Sequence, residues 1–265
     1  MLSLARARFT RGSAGEPLPA VFKALSGQGV HFRQGQLALI AAAPGVGKSL
    51  LSLTLAIRAG LPCLYFSADT DQATMTIRAA AMVSGWTTWD IEQALDAGMT
   101  ETLDVQLHKW SHIQFDFKAS PTATDVEEEL KAFRQVYGDW PSLIVVDNIS
   151  NLDNELNTDG FQSLEGTCDF LHELARETGA CVVGLHHVTG DFDDGTKPPS
   201  LSSLRGKISK VPELVLALHR IGGDSLEGAR SIGVSPVKNR TGRSDPSGGW
   251  FMPLSVDLER MAITG

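Results

Sequence analysis

The sequence predicts an α/β layer sandwich: a mainly parallel central sheet flanked by helices, with antiparallel strands at its C-terminal end. Three observations carry this reading. Short unbroken apolar runs alternate with helical segments, the mark of strands buried on both faces. The first of these runs enters a tight Gly/Pro loop that ends in Gly47-Lys48-Ser49 and opens a helix. Two terminal strands joined by a basic turn close the chain.

The elements follow in order. Residues 1–36 read as an irregular extension, with Arg6, Arg8 and Arg11 ahead of a Gly/Pro stretch and a short helical piece near Leu18–Leu25. Residues 37–265 read as one core, with no internal repeat. Leu37–Ala42 is the first strand. The helix from Lys48 to Ala59 is stopped by Gly60-Leu61-Pro62. Cys63–Ser67 is the second strand, and small apolar residues make a helix over Asp71–Val83. Shorter helices are expected at Thr88–Ala97 and Glu101–Lys109, and an alternating strand at His112–Phe117. Thr124 with Glu127 reads as a capping box that opens a helix to Val136. Leu143–Val146 is a buried strand. Phe161–Thr178 is amphipathic, with Leu164, Cys168, Leu171, Leu174 and Ala175 along one side. Cys181–Leu185 is the next buried strand, and Asp191–Ser203 a polar loop. Leu214–His219, Arg230–Ser235 and Trp250–Val256 complete the strands.

Composition bounds the function. At 265 residues the chain can bury one sizeable core. No run of about 18 apolar residues exists, so no membrane span is expected. The N-terminal stretch is too short and too charged for a signal peptide. Cys63, Cys168 and Cys181 lack metal-ligand spacing and suit buried thiols in a reducing compartment, that is, a cytoplasmic protein. A net charge of -8 argues against a surface that coats nucleic acid, while leaving room for a local basic channel.

The loop Ala43-Pro44-Gly45-Val46-Gly47-Lys48-Ser49-Leu50 has the chemistry of a nucleotide triphosphate cradle. Backbone N–H groups converge on phosphate oxygens, the helix N-terminus adds positive potential, and Lys48 supplies a point charge. Ser49 would place its hydroxyl on Mg²⁺. Ala42 stands where such loops usually carry a first glycine, which requires an unstrained corner there. Asp147 follows a buried strand 99 residues after Lys48 and fits a Mg²⁺ ligand; alone, it fits a turn residue equally. Asp69 also ends a buried strand. It fits either a group that aligns the attacking water or a helix cap, with Asp71 nearer to that helix. His186 and His187 end a third strand, without further metal ligands nearby in sequence. Lys238 and Arg240 are spaced to face one way on a strand. Arg205, Lys207 and Lys210 form a basic cluster that could line a nucleic-acid channel, hold a phosphate, or face water.

These residues resemble the RecA-like motor core of the DnaB-type replicative helicases, phage members included, over roughly residues 17–256. The loop at 43–49 resembles the family phosphate loop. Phe66-Ser67-Ala68-Asp69 stands where the family has Phe-Ser-Leu-Glu, whose glutamate is its base. Leu143–Asp147 resembles the Mg²⁺ aspartate strand. Gly184-Leu185-His186-His187 stands where a strand ends in the phosphate-sensing Ser-Gln. Leu204–Ile208 and Glu213–Arg220 resemble the late Leu-Arg-Glu-Ser-Gly-Ser-Ile and Asp-Val-Val-Leu-Phe-Leu-His-Arg stretch. Lys238-Asn239-Arg240 resembles the Lys-x-Arg segment that reaches the neighbouring subunit's nucleotide.

The resemblance implies a Mg²⁺-dependent ATPase and 5'-3' DNA helicase or translocase of replication. It implies a homo-oligomeric ring, a hexamer, on single-stranded DNA, working in the host cytoplasm if phage-encoded. It makes Lys48, Asp69, Asp147, His187, Lys238 and Arg240 the catalytic set. No counterpart of the family's primase-contacting domain is expected. Asn148–Gly160 and Thr189–Ser203 are the loops expected to touch DNA, although both are acidic and neither is a strong single-strand groove, which usually combines bases with aromatics. Two other readings fit the same residues: a recombination or repair ATPase without unwinding, and a nucleotide-gated scaffold with slow hydrolysis.

Overall fold

The computed structural model describes residues 15–152, 160–188, 190–222 and 229–265. Among the described residues nine strands form one sheet: β1 Leu37–Ala42, β2 Cys63–Ser67, β3 Ile113–Asp116, β4 Leu143–Asp147, β5 Cys181–His187, β6 Leu214–Ile221, β7 Ala229–Asn239, β8 Met252–Asp257 and β9 Ala262–Thr264. Their order across the sheet is β3-β2-β4-β5-β1-β6-β7-β8-β9. The first six are mutually parallel, and β7, β8 and β9 are added antiparallel.

The patterning explains the layout. β1, β2 and β4 are buried at every position, because helices cover both faces of the parallel part. β8 alternates buried and exposed along Met252-Pro253-Leu254-Ser255-Val256, as a strand with one solvated face must. Pro236 cannot donate to a ladder. It sits in β7 at the register shift opposite Val215 and Leu216.

Among the described residues seven α-helices accompany the strands: α1 Lys23–Ser26, α2 Lys48–Ala59, α3 Gln72–Ser84, α4 Thr88–Asp96, α5 Glu101–His108, α6 Ala123–Tyr137 and α7 Gly160–Thr178. Gly60, Gly85 and Gly138 end α2, α3 and α6 in the left-handed conformation that glycine adopts without strain.

Several boundaries differ from expectation. Helix α1 begins at Lys23 rather than near Leu18, because the Leu18 N–H pairs with the Phe32 carbonyl (2.8 Å) and holds that stretch extended. The capping box that opens α6 is Thr122 with Asp125, not Thr124 with Glu127. The Thr122 hydroxyl accepts from the Asp125 N–H (3.1 Å), and the Asp125 carboxylate accepts from the Thr122 N–H (2.7 Å). An aspartate closes the box as well as the expected glutamate, so the helix starts earlier. β9 is additional to the expected strands; it pairs with β8 and buries Ile263. The extension also contributes to the core: Leu18, Phe22, Leu25, Val30 and Phe32 are buried against it.

Gly184, in the middle of β5, lets the turn after β4 pack closely. A Cβ there would lie 2.7 Å from Ile149 Cγ2 and 3.0 Å from Leu39 Cδ2. Gly184→Ala should therefore destabilise the fold by about 1–3 kcal/mol through overpacking. Differential scanning calorimetry against wild type checks this, with a lower Tm expected.

Candidate nucleotide site

Four buried strands deliver their C-terminal ends to one edge of the sheet. β1 leads into the phosphate loop, β2 into Asp69, β4 ends at Asp147, and β5 ends at His187. Register aligns them: Ser67 faces Asp147 and Ala42 faces His187 across neighbouring strands. The result is a cleft of about 310 Å³ lined by the phosphate loop, Asp69, Asp147 and His187. Such a crevice beyond parallel strand ends is where open α/β sheets bind ligands.

Gly45 (φ 70) and Gly47 (φ 118) give the loop its left-handed turns. Ala42 remains a regular β1 residue, and the one non-glycine with positive φ among the described residues is Met261. The corner is thus unstrained, as an alanine there requires.

Lys48 is buried. Its ammonium donates to the Ala42 carbonyl (3.0 Å), the Ala43 carbonyl (3.3 Å) and His187 Nδ1 (3.1 Å). Three donors meet three acceptors, so His187 accepts at Nδ1 and carries its proton at Nε2. That nitrogen is 3.9 Å from Asp69 Oδ2, beyond hydrogen-bond length. Burial pushes Lys48 down to about 8, against the pull of Asp147 and Asp69. Burial, aided by the Lys48 charge, also lowers His187 and keeps it neutral at pH 7.

Asp147 is 3 % exposed. Burial raises its pKa, while hydrogen bonds from Ser49 and Tyr65 oppose the rise. Asp71 takes the cap role on α3, accepting from the Thr74 N–H (3.0 Å). Asp69 is thereby left in the cleft, where its Oδ1 accepts from Asn151 Nδ2 (2.9 Å).

Lys238 and Arg240 do not line this cleft. β7 ends at Asn239, so Arg240 lies in the turn beyond it rather than on the strand. Both cations still converge on the Lys210 carbonyl, at 2.8 Å from Lys238 and 2.9 Å from Arg240. Arg240 also lies 3.6 Å from Glu213, which accepts from the Leu37 N–H at the start of β1. The pair therefore sits at the opposite edge of the sheet from the phosphate loop.

Other groups join the site that no sequence motif marks. Arg78, Leu258 and Met261 line the cleft. Arg78 is the one charge on α3, a lone cation in a helix of small apolar residues, and that is its only signal. Leu258 and Met261 flank the tight β8–β9 turn, which carries no nucleotide motif. Arg220, by contrast, ends the Glu213–Arg220 stretch that resembles the family's, and it reaches the Gly45 carbonyl (3.4 Å) and the Asp194 carbonyl (3.5 Å). Its N–H donates to the Gly195 carbonyl (2.7 Å), pinning the loop after His187 against the phosphate loop. Residues 153–159, Thr189 and the side chains of Arg205 and Lys207 lie outside the described residues.

Residues 18–248 match the family described as DnaB-like helicase C terminal domain. The chain belongs to that family. It is therefore the core of an ATP-dependent helicase motor, a nucleotide-binding enzyme. It is 46% identical over 262 residues to the Gene 65 protein of Mycobacterium phage L5, covering 96% of this chain and 95% of that one. It is 44% identical over 234 residues to the Gene 65 protein of Mycobacterium phage D29, covering 86% and 98%. Its fold is similar to a DnaB-like replicative helicase solved for its interactions with primase (TM-score 0.78, 16% identity, 100% of this chain and 67% of that one covered). It is also similar to a second solved protein, described as an ATPase domain (TM-score 0.79, 16% identity, 99% and 95% covered). The RecA-like α/β class expected from the residues is the observed one. Among the described residues no helix is long and apolar enough to cross a membrane.

On the reading that Lys48 holds a phosphate, its environment predicts a pH signature for nucleotide binding. Phosphate binding favours the charged ammonium, whereas the free protein loses that proton near pH 8. Above pH 8, nucleotide binding must take up a proton. Affinity should then fall with rising pH, approaching about tenfold per unit. Titration of a fluorescent nucleotide between pH 7 and 9.5 checks this; Lys48→Ala should bind weakly with the slope gone.

Proposed function

We propose that this chain is the repeating subunit of a homohexameric ring that hydrolyses ATP to move 5'-3' on single-stranded DNA during replication, in the host cytoplasm. One observation carries the ring. Each subunit holds a cradle at the C-terminal edge of its sheet and a Lys/Arg pair at the N-terminal edge. Arg240 lies beside Glu213 and the start of β1, and β1 spans about 16 Å to the phosphate loop, five steps of a parallel strand. A guanidinium cannot serve its own cradle across that distance, so its nucleotide belongs to a neighbour. A head-to-tail contact that presents one cradle to one cation pair is heterologous, and such contacts form rings where the rotation between subunits closes.

The donor set at the cleft fits Mg²⁺. Ser49 and Asp147 offer a hydroxyl and a carboxylate, both hard oxygens, beside the phosphate loop. No cluster of three or more His, Cys, Asp or Glu among the described residues could cage a metal. Few protein ligands, completed by phosphate oxygens and water, is the usual Mg²⁺ arrangement. Bound there, Mg²⁺ would neutralise charge on the outer phosphates.

The chain's own groups divide the rest. Loop N–H groups and Lys48 hold the phosphates, and the Lys48 ammonium exchanges its two carbonyls and His187 for phosphate oxygens. Asp69, anchored by Asn151, aligns the attacking water and accepts its proton. His187, released by Lys48, is placed to sense the outer phosphate. The 190–203 loop follows it and is tied to the phosphate loop through Arg220, which supports a path from nucleotide state to a DNA-facing loop. Arg240, with Lys238, would offset charge forming on the neighbour's transferring phosphate; fingers of this kind speed hydrolysis by about 10³–10⁵.

Asp69→Asn should leave nucleotide affinity near wild type and slow steady-state turnover at least tenfold, about 1.4 kcal/mol of barrier. Normal turnover would move the role to another group.

The ring is tested by mixing two inactive proteins, Arg240→Ala and Lys48→Ala. Mixed rings contain junctions with an intact cradle and an intact cation, so turnover should reappear at intermediate ratios and rise with single-stranded DNA. Failure to recover, with mixed assembly shown by tagged pull-down, would mean that Arg240 acts only within its own chain.

A further inference from the structure

Tyr65 has no place in the scheme above, yet it is wired into it. It lies in β2, with no exposed surface, its ring 5.3 Å from that of Phe115. A phenylalanine would fill the same apolar space without burying a hydroxyl, so packing alone does not account for the phenol. Its O–H donates to Asp147 Oδ2 at 3.1 Å. The Tyr65 oxygen is also 2.8 Å from the hydroxyl of Ser52 on α2, and that hydroxyl is 3.0 Å from the Ser49 carbonyl.

Proton counting fixes the direction of the chain. An ionised carboxylate only accepts, so the phenol proton goes to Asp147. The Ser52 proton is then shared between the Tyr65 oxygen and the Ser49 carbonyl. Burial drives the phenol well above its ordinary range, so it stays a donor at any working pH. One side chain thus ties the end of β4 to the first turn of α2, which carries Lys48 and Ser49.

Resting on the Mg²⁺ reading of Asp147, we infer that Tyr65 is a positioning residue for the metal: its hydroxyl, backed by Ser52, fixes the plane of the Asp147 carboxylate. The carboxylate torsion of an aspartate is otherwise broad. Mg²⁺ demands near-ideal octahedral geometry and tolerates little wandering of a ligand. With Oδ2 held by the phenol, the other carboxylate oxygen would be left to serve the ion. Loss of such outer partners commonly weakens metal affinity by about 10–100-fold.

The test uses the full chain carrying Tyr65→Phe, which keeps the ring and removes only the hydroxyl. A fluorescent non-hydrolysable ATP analogue is bound first in EDTA and then titrated with Mg²⁺. Bound Mn²⁺ is followed by electron paramagnetic resonance in a parallel titration. The half-saturating metal concentration should rise about tenfold or more. Affinity for the analogue in EDTA should stay unchanged, and excess Mg²⁺ should restore turnover. A general loosening of the fold would weaken both affinities together, and that result would overturn the inference. So would an unchanged metal titration. Ser52→Ala decides the matter if Tyr65→Phe does not fold: it leaves the phenol but removes its support, and should shift the metal titration the same way by a smaller factor. No shift there would likewise overturn it. If wild-type binding proves indifferent to metal, the Mg²⁺ reading of Asp147 itself fails and the role of Tyr65 falls with it.

Discussion

Parallel strands bring their ends together only when their register is held, and the site depends on the register of four of them. Ser67 opposite Asp147, and Ala42 opposite His187, place two acids, a histidine and the phosphate loop at one level of the sheet. The Ala68 N–H donates to the Asp147 carbonyl (2.8 Å), carrying the β2–β4 ladder one residue past the strand ends. A slip of one residue would turn every side chain to the other face. Continuous burial on both faces gives no alternating pattern to resist such a slip. Specific packing must do so instead, and Gly184, where Ile149 and Leu39 approach without room for a methyl group, is one such point.

The charges at this edge are held out of water, and each is balanced locally. Lys48 uses all three donors on its own chain. Asp147 takes hydrogen bonds from Ser49 and Tyr65. Burial still favours the neutral forms of both groups. On the proposed reading, triphosphate and Mg²⁺ would bring the opposite charges and offset that cost of burial.

Much of this is legible in the chain because it is written in local patterns. The strand–loop–helix signature marks the cradle, and apolar runs mark β1, β2, β4 and β5 nearly to the residue. Asp71 competes with Asp69 for the cap, and the structure gives the cap to Asp71, which frees Asp69. What the sequence hides is tertiary. Leu258 and Met261 reach the cleft because a hairpin from the far end of the chain folds back to it. Tyr65 reads like any aromatic residue in a buried strand, since only its partners give its hydroxyl a purpose. The capping box at α6 reads two residues late when glutamate is taken as the partner, yet aspartate closes the same ring.

The two cations near residue 240 differ in how firmly they are held. Lys238 donates to the Ser209 and Lys210 carbonyls at 2.6 and 2.8 Å, and burial lowers its pKa ahead of the repulsion from Arg240. It fastens β7 to the 205–210 turn. Arg240 is half exposed, with one bond to the Lys210 carbonyl and a longer contact of 3.6 Å to Glu213. At that length, and with the guanidinium half in water, the contact is worth little. Glu213 loses little if Arg240 swings away, because His172 (3.2 Å) and the Leu37 N–H (3.1 Å) remain its partners. On the proposed ring reading, Lys238 is then the fixed post and Arg240 the mobile arm. Arginine suits the arm, because its planar fork pairs with phosphate in a geometry that a lysine point charge cannot reproduce.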